Sequence, residues 1–223
     1  MRCWLSTWNV RTFYGSLLEG GYPCCLGSFF EGQPLTKFMQ ETDTMQRFQF
    51  FLDSGAYSAW SRGVEIDIDE YVEFIKANAD HLDVYANLDA LAGKPGQVAT
   101  LAQRNEGAAR SWANFLYMRE QGLDPLPVFH VGESWEWLDR MLAEGCDYIG
   151  LGGLVGCSYA ERKAWLDQVF ERLCDDNGHP KVKTHGFGMT SIPLMFRYPW
   201  HSVDSTTWIQ VAANGAVIMP AVR

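Results

Sequence analysis

The sequence lacks most of the features that would place it quickly. No run of about 18 apolar residues is present, so nothing in it is built to span a bilayer and no membrane partner is expected. Six cysteines, at positions 3, 24, 25, 146, 157 and 174, include no CxxC pair and follow no secretory leader. A reduced, cytoplasmic setting is therefore expected rather than a disulfide scaffold. No HxxxH or HExxH spacing joins the histidines, which leaves zinc without a strong signal. The stretch LGGLVG has neither the lysine of a phosphate-binding loop nor the spacing of a dinucleotide fingerprint, so ATP and NAD are not expected as cofactors. Positive charge is scarce as well: 18 Lys and Arg against 27 Asp and Glu give −9, which excludes a chain-wide basic surface and leaves room only for a local basic groove.

What is present is apolar surface. With 47% hydrophobic residues, 14% aromatics and only 9 prolines in 223 residues, the chain must fold compactly. No repeat, linker or low-complexity stretch divides it, and one domain over 1–223 is expected. Short apolar runs predict buried strands at Phe48 to Leu52, Leu82 to Leu88, Leu126 to Val131, Tyr148 to Leu151, Val182 to Phe187 and Ser202 to Asp204. A further one is expected at Ala216 to Met219, and an earlier one within Tyr22 to Phe30.

Amphipathic helices separate these runs. Asp67 with Glu70, and Ser158 with Glu161, have the spacing of capping boxes, and the stripe of Ile68, Tyr71, Val72 and Ile75 faces one side. Ser134 is placed to cap a helix that ends at Gly145, and a longer helix from about Val98 to Gln121 closes at Gly122. Strands alternating with helices demand a parallel sheet with right-handed crossovers. The number of units predicts an α/β fold of the (β/α)8, TIM-like barrel type, compact and incomplete if a helix is lost, with a doubly wound open sheet as the alternative.

In a parallel barrel the reactive groups gather at the C-terminal ends of the strands. Those ends are Asp53 with Ser54 and Gly55, Asp89 after Asn87, His130 before Gly132, Gly152 with Gly153, His185 with Gly186, and Asp204 with Ser205. Any one of these acids could simply cap a turn. Three acids converging on one mouth repel one another, which points to a ligand or a reaction that makes use of them.

The ordered set Asp53-Ser54-Gly55-Ala56-Tyr57, Asp89, Val128-Phe129-His130-Val131-Gly132, Gly152-Gly153-Leu154-Val155-Gly156, Gly186-Phe187-Gly188 and Ser202-Val203-Asp204 resembles the queuine/archaeosine tRNA-guanine transglycosylases. It is more similar still to their compact relatives that place 7-deazaguanines into DNA, known largely from phages and bacterial DNA-modification clusters. The resemblance runs from about Leu26 to Asp204. It implies a base exchange in which Asp204 attacks C1′ of a target guanosine and holds the sugar as a covalent ester. Asp53 would be the acid and then the base. Asp89 would accept from N1 and the 2-amino group of a guanine-like edge, the Gly153 amide and His130 would approach O6, and the Leu154 carbonyl would meet the 7-substituent. Ser54, Gly152 and Gly186 belong to the same base-binding set, and Tyr57 or Phe187 offers a stacking face.

Two departures bear on the acceptor. The Cys-x-Cys-x-x-Cys zinc motif that follows the nucleophile in the tRNA enzymes has no counterpart after Cys174, so no metal and no other cofactor are expected. Nor is there a long basic insertion or a C-terminal RNA-binding domain, which makes DNA a better expected partner than tRNA, with a 7-deazaguanine base as the small substrate. Lys181, Lys183 and Arg197 are the candidate phosphate contacts. A protein partner or a second copy of the chain would supply any grip on nucleic acid that a −9 chain lacks. The rival readings are a barrel hydrolase of N- or O-glycosides, which also uses paired carboxylates, and a non-catalytic 7-deazaguanine-binding subunit.

Overall fold

The computed structural model describes residues 1–6, 21–22, 24–32, 49–207, 211 and 214–215. Eight strands form one sheet: β1 Arg2–Ser6, β2 Cys24–Ser28, β3 Gln49–Asp53, β4 Val84–Tyr85, β5 Val128–His130, β6 Tyr148–Gly152, β7 Lys183–Gly186 and β8 Ser202–Ser205. The order is β4-β3-β2-β1-β8-β7-β6-β5 and every neighbouring pair is parallel. The sheet is curled. Its two outermost strands meet at a parallel bridge between Ala86 and Leu126, where the Leu126 N–H donates to the Tyr85 carbonyl and the Asn87 N–H to the Leu126 carbonyl, both at 2.8 Å.

Among the described residues six α-helices accompany the strands: α1 Ala56–Ser61, α2 Ile68–Ala77, α3 Leu101–Glu120, α4 Trp135–Ala143, α5 Tyr159–Leu173 and α6 Ile192–Arg197. Their starts follow from local chemistry. Asp67 accepts from the Asp69 and Glu70 amides at 2.8 and 3.3 Å, and Ser158 with Glu161 closes a full capping box. Thr100 and Gln103 close another at the head of α3. Each such cap contributes roughly 1 kcal/mol. Ser134 heads α4 without a side-chain bond to it.

Side chains alternate across each strand, so one residue in two faces each side of the sheet. Trp4, Leu26, Phe51, Ala86, Leu126 and Val128 fill the concave side, with Trp4 edge-on to Phe51 at 5.6 Å. On the outer side Cys25, Phe50 and Leu52 pack on Tyr71, Val72 and Ile75 of α2. Phe129, Ile149, Leu151 and Val203 pack there on Leu138 of α4 and on Trp165, Leu166 and Val169 of α5. A one-residue slip of any strand would exchange the two layers, so burial on both sides fixes the register.

All the expected strands inside the described residues form, though the one expected at Leu82 to Leu88 shrinks to Val84–Tyr85 and the bridge at Ala86. The strand expected at Ala216 to Met219 lies outside the described residues. β1 is an addition, pairing β2 on one side and β8 on the other. All six cysteines are unpaired thiols, and burial pushes those of Cys25 and Cys146 above the ordinary range, Cys146 to about 11. Among the described residues no helix is long and apolar enough to cross a membrane.

Candidate active site

Parallel pairing brings Asp53, His130, Gly152 and Asp204 to the same end of the sheet, with Asp89 on the segment that leaves β4. Asp204 is 8% exposed and has fixed partners on both oxygens. Ser6 of β1 donates its hydroxyl to Oδ2 at 2.9 Å and the Gly188 amide donates to Oδ1 at 2.7 Å. His185 lies beneath, fully buried, with Nε2 3.4 Å from Asp204 Oδ1 and Nδ1 2.6 Å from the Ser202 hydroxyl. Burial pulls its pKa below the ordinary value and the Asp204 carboxylate only partly offsets this, so the ring is neutral. Nδ1 shares a hydrogen bond with the Ser202 hydroxyl, which is itself bonded to the Tyr148 hydroxyl, while the buried Nε2 faces the Asp204 carboxylate without a hydrogen-bond partner.

Asp53 has a different environment. Burial first, then the charges of Asp204 and Asp89, push its carboxyl up to about 7, against the pull of the Gly55 and Ser54 amides. At neutral pH it can both give and take a proton. The turn that presents it depends on Gly55, whose φ of +77° is left-handed and where a Cβ would overlap Phe30 and Ser28. Ser54, 2% exposed, turns its hydroxyl to the Ala56 amide at 3.4 Å and so serves the start of α1.

Asp89 is held from two sides. Asn87 Nδ2 donates to its Oδ1 at 3.4 Å, and His130 Nε2 lies 3.3 Å from Oδ2. On the other side of the ring, His130 Nδ1 meets Glu133 Oε1 at 3.1 Å, while Glu133 Oε2 accepts the His130 amide at 3.0 Å. Burial disfavours the imidazolium, but the two flanking carboxylates outweigh it and lift His130 to about 10, so it is charged at neutral pH with a proton on each nitrogen. Burial raises the Asp89 carboxyl above its ordinary value, and the His130 cation offsets this only in part. Because Nε2 is engaged by Asp89, the structure gives His130 the work of holding that carboxylate rather than the expected approach to O6.

The glycines divide. A Cβ on Gly152 would come 2.8 Å from His130 Cδ2, so Gly152 makes room for the clamp instead of meeting a ligand. Gly153, at φ +73°, lines the mouth beside His130 with a bare backbone. Gly186 faces the outer layer, where a Cβ would meet Trp200 and Met189, and is thus not on the mouth. Leu154 is buried in the outer core and its carbonyl already accepts the Cys157 amide at 3.4 Å. Of the two stacking candidates, Tyr57 stands 58% exposed at the rim, whereas Phe187 packs inward on Phe51 and His185.

The three expected phosphate contacts are elsewhere. Lys183 opens β7 at the opposite end of the sheet and lies 3.7 Å from Asp147, with Lys181 two residues before it. Arg197 ends α6 and binds Asp167 of α5 at 2.9 Å. Arg104 of α3 lines a recess beside His130 and Gly153 instead. Ser6 and Glu133 are the other site residues that sequence reasoning missed. Glu133 could have been found from its place three residues after His130; Ser6 is 198 residues from its partner and carries no local signal.

Among the described residues no three His, Cys, Asp or Glu side chains converge as metal ligands. No family model matches the chain, and no curated protein matches it either.

Proposed function

We propose that the chain is a base-exchange transglycosylase on a compact (β/α)8 barrel closed at the Ala86–Leu126 bridge, replacing guanine in a nucleic acid, DNA in preference to tRNA, with a 7-deazaguanine. The observation that carries this reading is the pairing of two differently treated carboxylates: Asp204 fixed by donors on both oxygens, and Asp53 pushed up to about 7 beside it. That division between an oriented nucleophile and a proton carrier is what displacement at an anomeric carbon needs.

In the first half of the reaction a carboxylate oxygen of Asp204 attacks C1′, the C1′–N9 bond breaks, and Asp53 gives its proton to the departing guanine. The product is an ester between Asp204 and the sugar. In the second half Asp53 takes the N9 proton of the incoming base, N9 attacks C1′, and the ester bond returns its electron pair to Asp204. Asp89, acceptor-only while ionised, reads the N1–H and 2-amino donors. A base without them would leave a buried acceptor unpaired, at roughly 1 to 3 kcal/mol. The Gly153 amide is available to O6, and the Tyr57 ring to the face of the base.

Among the described residues no three thiol, imidazole or carboxylate groups converge as the zinc site of the tRNA enzymes would require. The test is incorporation of labelled guanine and of a labelled 7-deazaguanine into duplex DNA, single-stranded DNA and bulk tRNA, with Asp204→Asn as control. Label in DNA that the variant does not place supports the reading. Release of guanine with no incorporation would instead mark a hydrolase.

A further inference from the structure

Arg104 puts a cation beside His130, at the edge of a mouth built from acids. It projects from the first turn of α3, and its guanidinium lies against Gly132, at φ +82°, so closely that any Cβ there would overlap it. It is partly buried and lines a recess of about 180 Å3 with Trp60, His130 and Gly153. Asp89 and Glu133 are adjacent, yet both are taken by His130, and among the described residues no carboxylate pairs with Arg104. Arg110, Arg119 and Arg197 have such partners in Glu65, Asp124 and Asp167; of the arginines without one among the described residues, Arg104 is the one that lines this recess beside His130. The recess shares Trp60, Ala90 and Leu91 with a second one of about 290 Å3, which Asp89 and Arg110 also line, so the two adjoin along α3 and Trp60 lines both.

We infer that these recesses form a groove for a single strand of nucleic acid, with Arg104 holding the phosphodiester next to the target nucleotide and Trp60 stacking on a neighbouring base. The inference rests on the proposed exchange in a nucleic acid and names the part of the substrate that the acids cannot bind. A guanidinium offers planar paired donors that match phosphate oxygens, and an unpaired one has no internal partner to give up on binding. Cation and aromatic surface side by side are the composition of single-strand grooves, which fits a chain too acidic to grip a long stretch of duplex. A target base must in any case leave its stack to reach Asp204, and a groove for the adjoining unstacked nucleotide would assist that.

The experiment is a salt series of anisotropy titrations with a labelled guanine-containing single-stranded oligonucleotide, for the full chain and for Arg104→Gln, Arg104→Lys, Trp60→Ala and Lys183→Gln. Thermal melts establish that each variant is folded. Arg104→Gln is expected to weaken binding about tenfold at low salt and to make the slope of log K against log salt shallower by about 0.7, the share of one phosphate contact. Arg104→Lys should keep the slope, Trp60→Ala should lose affinity with the slope intact, and Lys183→Gln, at the far end of the sheet, should match wild type. An unchanged slope in Arg104→Gln overturns the inference and leaves the exchange chemistry standing. A competition arm with guanosine monophosphate separates the two sources of phosphate: dependence on Arg104 for the mononucleotide but not for the strand overturns the groove. If the wild-type chain binds no DNA or RNA oligonucleotide, the inference falls together with the nucleic-acid half of the proposed function.

Discussion

The two ends of the sheet treat acidic residues in opposite ways. At the N-terminal end Asp124 pairs with Arg119 at 2.8 Å and Asp147 lies 3.7 Å from Lys183, both acids more than four-fifths exposed, while Asp83 accepts the Phe50 amide at 2.7 Å. These are solvated contacts worth little each. At the C-terminal end Asp53, Asp89 and Asp204 are drawn from water and set against one another, and the cation beside them, His130, owes its charge to Asp89 and Glu133. One end disperses negative charge and the other concentrates it. Concentration has a cost in folding free energy, and the proposed exchange is a use for the end that bears it.

The largest expected break in this contrast is Asp204→Asn, which should lower base exchange by about a thousandfold or more and abolish a covalent adduct detectable by mass spectrometry. Next comes Asp53→Asn, expected to cut exchange by roughly a hundredfold to ten-thousandfold. The wild-type rate of guanine release should fall as pH rises through about 7, where Asp53 loses its proton. Stability gives an independent readout. The folded Asp53 holds its proton from 3.8 up to about 7 while the unfolded chain has released it, so wild type loses stability as pH rises across that window. Asp53→Asn should remove this loss and be more stable at pH 8, by on the order of 1 to 4 kcal/mol.

Glu133→Gln sharpens the comparison with a smaller effect. His130, raised to about 10 from 6.5, contributes stability that is fully present below 6.5 and is lost as pH climbs through about 10. Removing one flanking carboxylate should shift the imidazole titration downward by NMR, flatten that alkaline loss, and raise the KM for the incoming base about tenfold through a loosened Asp89. The smallest effect belongs to the far end. Lys183→Ala should change stability by less than about 0.5 kcal/mol and leave exchange at the wild-type rate, as urea unfolding and the labelling assay would show.

The acids of the mouth were legible because a parallel sheet converts sequence order into a shared end, and strand-terminal residues such as Asp53 and Asp204 can be read off each apolar run. β1 was not legible: Arg2–Ser6 is five residues with no preceding turn signal, and its partners β2 and β8 are defined only by long-range pairing. Ser6 was hidden with it. The roles of His130 and Gly152 also escaped, because they depend on a cross-strand fit between β5 and β6 that no local pattern encodes. The lysines misled for a related reason. Lys181 and Lys183 are near His185 in sequence, yet β7 runs away from them toward the site, and a few residues of strand separate the two ends of the molecule.

The bare positions of β6 have a consequence for descent. Gly150 leaves space that Phe187 fills, Phe187 packs at 4.4 Å on His185, and Gly152 leaves space for His130. Both histidines of the site thus take their room from alternate positions of a single strand. Among sequences descended from a common ancestor with this one, a side chain gained at 152 should appear only where position 130 has shrunk, and one gained at 150 only where 187 has. The strand would then record, as linked substitutions, whether a lineage kept the clamp or abandoned it.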